Sequence, residues 1–327
     1  MRQWLRKIRL TFPGGFVINP SLASEPHELR VHVTMSKGIS AKANEFQIEI
    51  WNLNPDHRFA LGRELDTVQI EAGYVPPEEA ATGGNVGIIG VGNIRDYQHD
   101  RDGPDIITTI SCGDGDLAFR NATISETIPK GTPLPDVVDK LYAQMEKEGI
   151  RKGEFKYPEK TRTLSRPYSM CGSCTRELNN LGRSNGFYWS IQNGVMELIP
   201  SDGYLEGMVL VSPATGMVGT PTITDNGMKV KALMNPEARP NRLVKVESEV
   251  LEMNAQSDTY RISQLDYDLD NTQGDFTMSI QGESLQNGKV DEGVKATTDK
   301  DKMIEELEAR LKASQDRNKE LEGMVQR

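Results

Sequence analysis

From Ser212 to Ser248 apolar and polar residues alternate, and glycine, proline or Asn-Gly cuts every run, which admits short strands and tight turns but no helix. Pro221, Ile223, Met228, Val230 and Ala232 supply the apolar positions. Asp225-Asn226-Gly227 lies between two runs, where Asn and Gly can take the positive φ of a two-residue hairpin turn, and Asn235-Pro236 closes the next. The same period of two runs through Leu29, Val31, Val33 and Met35, through Phe46, Ile48 and Ile50, and through Val68, Ile70 and Ala72. A chain so patterned is mainly β.

Five segments follow from the changes in pattern. Residues 1–112 read as an N-terminal β-barrel-like domain, broken by a short helix that Asn54 or Asp56 caps and that runs to about Leu65, and by an exposed loop over 75–85. Residues 113–205 read as a small α+β insertion. In it Thr132 is placed as N-cap, with Pro133 at the first helical position and Gly149 as the stop. Residues 151–168 read as a polar connection. A second helix is expected from about Met170 to Leu181, because Cys171, Cys174, Leu178 and Leu181 share one face. Asn193-Gly194 predicts a hairpin with Ile191 opposite Met196 and Trp189 opposite Leu198. Residues 206–285 return to β as a second barrel-like domain. Residues 286–299 read as a linker, and 300–327 as a coiled-coil-like helix whose seam is Ile304, Leu307, Leu311, Asn318, Leu321 and Val325.

Composition narrows the partners. A net charge of -10, with clustered basic residues only at Arg6, Lys7 and Arg9, argues against direct nucleic-acid recognition. Three unevenly spaced cysteines do not make a secreted disulfide framework, so a reducing compartment is expected. No stretch approaches the roughly 20 apolar residues of a membrane span.

Candidate chemistry is weak throughout. Cys171-Gly-Ser-Cys174 could be a redox pair, but both cysteines fall on the apolar stripe of the expected helix and read as core. His27, His32, His57 and His99 are scattered singly, so no zinc set forms. Gly113-Asp114-Gly115-Asp116 lacks the length and terminal Glu of a calcium loop and reads as a turn. Gly87-Ile-Ile-Gly90-Val-Gly92 has the wrong spacing for a nucleotide loop and lies in a β region. No catalytic residue, metal ligand or cofactor is expected.

Four stretches carry a resemblance: TGMVGTPTITDNGMKVKALMNPEARPNRLVKVES, IIGVGNIRDYQHDRDGPDIITTISCGDGD, KGTPLPDVVDKL and LNNLGRSNGFYWSIQNGVMELIP. Over roughly residues 1 to 285 the chain resembles the baseplate hub proteins of tailed phages, the late-control D-like hubs. The resemblance implies a non-enzymatic homotrimeric ring in the virion tail, assembled in the host cytoplasm, with two tube-type β-domains per subunit flanking a small α+β domain. It implies a symmetry adaptor between the hexameric tail tube ring and the central spike, with the tape-measure protein and other baseplate proteins as further partners. The resemblance does not extend to the seam after residue 300. Two other classes stand beside it: a tail-associated cell-wall hydrolase, which needs a cleft with two opposed carboxylates, and a receptor- or carbohydrate-binding module, for which the Tyr188 side of the hairpin is the candidate.

Overall fold

The computed structural model describes residues 5–21, 28–39, 42–61, 63–75, 84–158, 163–224, 227–248, 250 and 258–284. The expected seam at Ile304, Leu307, Leu311, Asn318, Leu321 and Val325, and the linker before it, lie outside the described residues.

The first part of the chain forms β1 (Leu5–Thr11), β2 (Val17–Ile18), β3 (Val31–Gly38) and β4 (Glu45–Trp51), then α1 (Pro55–Ala60), β5 (Thr67–Val75), β6 (Gly87–Asp102) and β7 (Asp105–Gly113). Alternation decides their faces: Val31, Val33 and Met35 are buried while Thr34 and Ser36 are exposed. Asn54 caps α1 as expected, its Oδ1 accepting from the Asp56 N–H at 2.9 Å. The helix ends at Ala60 rather than near Leu65, because Leu61 turns to extended geometry and buries itself fully.

The insertion contains α2 (Asp116–Asn121), β8 (Thr123–Ile128), α3 (Leu134–Glu146), β9 (Arg151–Phe155), β10 (Tyr168–Ser173), α4 (Cys174–Asn185), β11 (Phe187–Gln192) and β12 (Val195–Pro200). Three expectations are corrected here. Pro133, not Thr132, caps α3, its carbonyl accepting from Val137, while the Thr132 hydroxyl donates to the Pro129 carbonyl. The "polar connection" begins with strand β9, which pairs in parallel with β12 and reads as polar because it is the edge of its sheet. Met170 and Cys171 lie on strand β10, antiparallel to β8, and the helix starts only at Cys174. Gly172, at φ 111°, holds a left-handed conformation that a right-handed helix cannot contain. The β11–β12 hairpin has the expected register, Ile191 opposite Met196 and Trp189 opposite Leu198.

The chain returns through β13 (Met208–Val211), β14 (Met217–Thr224), β15 (Gly227–Leu233), β16 (Leu243–Val246), β17 (Thr259–Asp270) and β18 (Phe276–Glu283). In β17 the apolar phase slips between Ile262 and Leu265. The strand does not break there; a bulge at Ser263 absorbs the extra residue.

The two β-rich parts are hydrogen-bonded into one 13-stranded sheet, joined where β17 pairs antiparallel with β3. They share one apolar cluster, in which Val33, Ile48 and Ile110 are buried with Val230, Leu265 and Ile280. The insertion has a cluster of its own around Leu141, Leu178 and Leu198.

The sheet contains a repeat. In chain order β3, β4, β5, β6 and β7 recur as β14, β15, β16, β17 and β18, and the pairings recur with them. The path β6-β7-β4-β3 is followed directly by β17-β18-β15-β14. β5 pairs with the first part of β6 as β16 pairs with the first part of β17. Even the bulge repeats: β6 shifts register between Ile94 and Asp96, as β17 does between Ile262 and Gln264. The β6–β7 and β17–β18 turns lie at one end of this sheet, and the insertion is attached at the other, where β7 stops.

Candidate functional site

Two strand edges of the repeat have no further strand beside them among the described residues. β5 covers β6 only from Gly87 to Asn93, and beyond the bulge residues 96–102 pair with β7 alone among the described residues. All residues from Asp96 to Asp102 are exposed, including Tyr97 at 39%. At the other end of the path β14 pairs only with β15 among the described residues. Its outer face carries Val218, with Leu233 of β15 beside the Gly216 bend. An unpaired row of N–H and C=O groups is a template for another strand unless something blunts it. Pro221 removes one donor from β14, and β6 carries alternating charge.

The seam inside the chain shows what such an edge meets. The post-bulge half of β17 lies against β3 with Asp266 opposite Ser36, Asp268 opposite Thr34 and Asp270 opposite His32. The Ser36 hydroxyl donates to Asp266 at 2.7 Å, and Arg30 binds Asp270 through Nε and Nη2 while stacking 4.0 Å over the Trp51 ring. His32 bridges Asp268 at 2.8 Å and Glu49 at 3.2 Å. Partial burial pulls its pKa down, but the hydrogen bonds to Asp268 and Glu49 outweigh this and leave it raised. A His held above its unfolded value of about 6.5 contributes stability that is fully present below that pH and is lost as pH rises through the folded value. The unfolding free energy of His32→Gln, read from urea denaturation, should therefore trail the native one at pH 5.5 by up to about 1 kcal/mol and match it at pH 8.5; an equal gap at both would remove the bridge as the cause.

The insertion is held to the sheet by a buried polar junction. Asp114, 1% exposed, accepts from the backbone N–H of Asn193 at 2.6 Å and of Gly194 at 2.8 Å. Asn44 donates to the Ile191 carbonyl at 2.8 Å and accepts from the Gly38 N–H. Lys37 sends its ammonium to the Ile89 carbonyl at 2.9 Å and to Asn193 Oδ1 at 2.6 Å. Burial pushes Lys37 down to about 8, with Asp114 opposing, and burial raises the Asp114 carboxyl against the pull of Lys37 and its three donors. A second tie joins Arg242 to Glu197 at 2.8 Å, and Arg261 donates to the carbonyls of Ser201 and Gly203. Lys37, Asn44, Asp114, Glu197 and Arg261 are all buried. They are fasteners, and the Gly-Asp-Gly-Asp stretch that reads as a turn supplies the main one.

The remaining sequence candidates are dispersed. Cys171 is exposed on a strand, not on the stripe expected for it, and Cys174 is buried, its thiol pushed up to about 11 by burial and by Glu177. Buried Cys112 is pushed up to about 12. Iodoacetamide at pH 8 should label one site, Cys171; rapid labelling of Cys174 in the folded chain would contradict its burial. Among the described residues no three His, Cys, Asp or Glu gather as a metal site. The glycines of 87–92 serve packing, since a Cβ on Gly92 would lie 2.3 Å from the Phe46 ring. A shallow groove between residues 163–168 and the end of α4 is lined by Arg166, Arg183, Ser184 and Asn185 and has no carboxylate in its lining. The Tyr188 ring is partly exposed and lies 5.6 Å from the Arg261 guanidinium, which makes it part of the second tie. No helix of the described residues is long and apolar enough to cross a membrane.

The family profile described as "Baseplate hub gp41" matches residues 10–282. No curated protein sequence matches the chain. Among solved structures it is similar to the 43 kDa tail protein of prophage MuSo2 from Shewanella oneidensis, at TM-score 0.57 and 11% identity over 85% of this chain and 97% of that one. It is equally similar to the tail protein from Neisseria meningitidis MC58, at TM-score 0.57 and 12% identity over 85% and 96%. The E. coli c3393 protein, described as a type VI secretion component similar to T4 tail proteins gp27 and gp5, matches at TM-score 0.57 and 10% identity over 88% and 79%. At these identities the shared property is the fold.

Proposed function

The chain belongs to the baseplate hub gp41 family, a structural part of the phage tail baseplate, and on that premise we propose that three copies close a ring by joining the open edge of β6 in one to β14 in the next. The observation that carries this is the repeat. Inside one chain, β17 of the second repeat pairs with β3 of the first. The same step taken once more puts β14 in the place of β3, and the next copy's β6 in the place of β17. Register transfers with it. Asp266 opposite Ser36 becomes Gln98 opposite Thr224, and Asp268 opposite Thr34 becomes Asp100 opposite Thr222. A head-to-tail contact of this kind closes into a ring when the rotation allows it.

Three copies then present six near-equivalent repeats. The end carrying the β6–β7 and β17–β18 turns offers two matching features per copy, which suits a hexameric tail tube ring. The opposite end carries one α+β insertion per copy, which leaves threefold symmetry for a trimeric central spike. The ring reading divides the chain as a first tube-type domain over 1–112, the insertion over 113–205 and a second tube-type domain over 206–285. The heptads from Ile304 to Val325 would add a second contact among three copies, or meet the spike or tape-measure protein. No chemistry is required of the chain in this role, and its assembly belongs to the host cytoplasm.

The test is a covalent trap. With exposed Cys171 changed to Ser, Gln98→Cys and Thr224→Cys on the same chain should oxidise to a closed trimer, read by denaturing electrophoresis and by mass in solution. A covalent dimer as the end product, or monomer alone at millimolar concentration, would overturn the ring.

A further inference from the structure

We infer that the seam between copies is oriented by an ion pair that the seam within the chain lacks: Lys229 and Lys231 of β15 facing Asp100 of the next copy's β6. The inference rests on the ring reading above and adds to it the groups that choose the correct edge.

The repeat allows the two seams to be compared row by row. Within the chain, Gln47 of β4, Thr34 of β3 and Asp268 of β17 lie in one row on the polar face of the sheet. The equivalent row between copies holds Lys229 of β15, Thr222 of β14 and Asp100 of β6. The neighbouring row replaces Glu49 with Lys231 and His32 with Val218. So β4 is neutral or acidic where β15 is basic, and the acid of the facing strand is kept in both seams. Inside the chain the group between the acids is His32, bridging Glu49 and Asp268. Between copies no histidine stands there; the positive charge comes from the lysines.

Lys229 and Asp100 are both exposed, and neither makes an ion pair among the described residues. Lys231 bonds Asp275 at 2.7 Å across a half-exposed surface, a contact of the kind easily exchanged. The two flanking strands of a three-strand row are roughly 10 Å apart, a gap that an extended lysine and an aspartate bridge over a small residue such as Thr222.

This arrangement also rejects the wrong pairings. Two β14 edges meeting about a twofold axis would leave the Lys229 and Lys231 pairs of both copies about 14 Å apart with no acid between them. Two β6 edges would bring Asp96, Asp100 and Asp102 of both copies together. Like charges at both self-pairings and opposite charges at the mixed one leave the head-to-tail contact favoured.

The experiment measures the initial rate of disulfide trapping between Gln98→Cys and Thr224→Cys in the Cys171→Ser full-length chain. Asp100→Lys should slow trapping about tenfold, as should Lys229→Asp with Lys231→Asp, and the three changes together should restore it. Salt at 1 M should slow the native-charge chain toward the single-reversal rate, because exposed charges are screened. All six substituted positions are exposed, so thermal midpoints should change little and exclude misfolding. Equal rates in all backgrounds, with trimers still formed, would overturn the ion pair and leave the ring standing. No trimer in any background, the native charges included, would remove both.

Discussion

Asp114→Ala should lower the free energy of unfolding by about 3 to 5 kcal/mol, the largest effect expected of any single polar change in this chain. Asp114 is the acceptor for the N–H groups of Asn193 and Gly194; it is 1% exposed and the turn it holds is partly covered. Each buried donor left unmatched costs about 1 to 3 kcal/mol. The fully buried Lys37 ammonium would also lose the negative charge that acts on it most strongly, and breaking a buried pair by removing one member is costly in itself. Asp114→Asn keeps one acceptor and should fall between the two. The loss is read from urea denaturation, and limited proteolysis should show cleavage beside the insertion before the sheet is cut. A cost under 1 kcal/mol for the alanine variant would mean that the junction is fastened by Asn44, Arg242 and Arg261 instead.

Gly227→Ala should cost about 3 kcal/mol, near the upper end for an overpacked site. A Cβ built there would sit 1.8 Å from the Gly282 carbonyl oxygen, an atom of the neighbouring strand β18. A side-chain end could swing aside, but a backbone carbonyl in the middle of a sheet cannot move alone. The contrast lies in the other repeat, where Glu45 occupies the equivalent place opposite Gly113 and carries a full side chain. The glycine is therefore a property of this repeat and not of the architecture. Thermal unfolding of Gly227→Ala against Gly219→Ala, where nothing lies within 4 Å and only a positive φ of 75° resists, separates collision from backbone strain. If the two variants lose the same stability, the collision is not what Gly227 avoids.

Much of the β framework was legible because it is local. Period-two burial marks β3, β4, β5 and β15 whatever they pair with, and Asn193-Gly194 sets the register of its hairpin through turn geometry alone. β9 and β10 were not legible. Their side chains are polar on the outer face, and what makes each a strand is a partner far along the chain, β12 for one and β8 for the other. The CxxC pair misled for the same reason: helical spacing is a real signal only if the residues are in one helix, and Gly172 ends that possibility at Cys171.

The buried junction was hidden from sequence more deeply. Lys37, Asn44 and Asp114 are polar residues beside glycines and turns, which one-dimensional patterning assigns to the surface. They are covered because residues 191–194 of the insertion close over them. Only the acidic Gly113-Asp114-Gly115-Asp116 string gave a hint, and it pointed equally to a solvated turn.

By itself the sequence determined most strands of the two β-rich parts and the β11–β12 hairpin, which side of each faces the core, and the family to which the chain belongs. It did so because side-chain alternation records solvent and not partner. The tertiary structure decided that β17 joins β3, that the two β-rich parts therefore form one repeating sheet, and that among the described residues the outer edge of β14 and that of β6 beyond its bulge have no neighbouring strand. Those depend on which backbone groups find each other across more than 200 residues, and a hydrogen-bond partner at that distance leaves no mark on local composition.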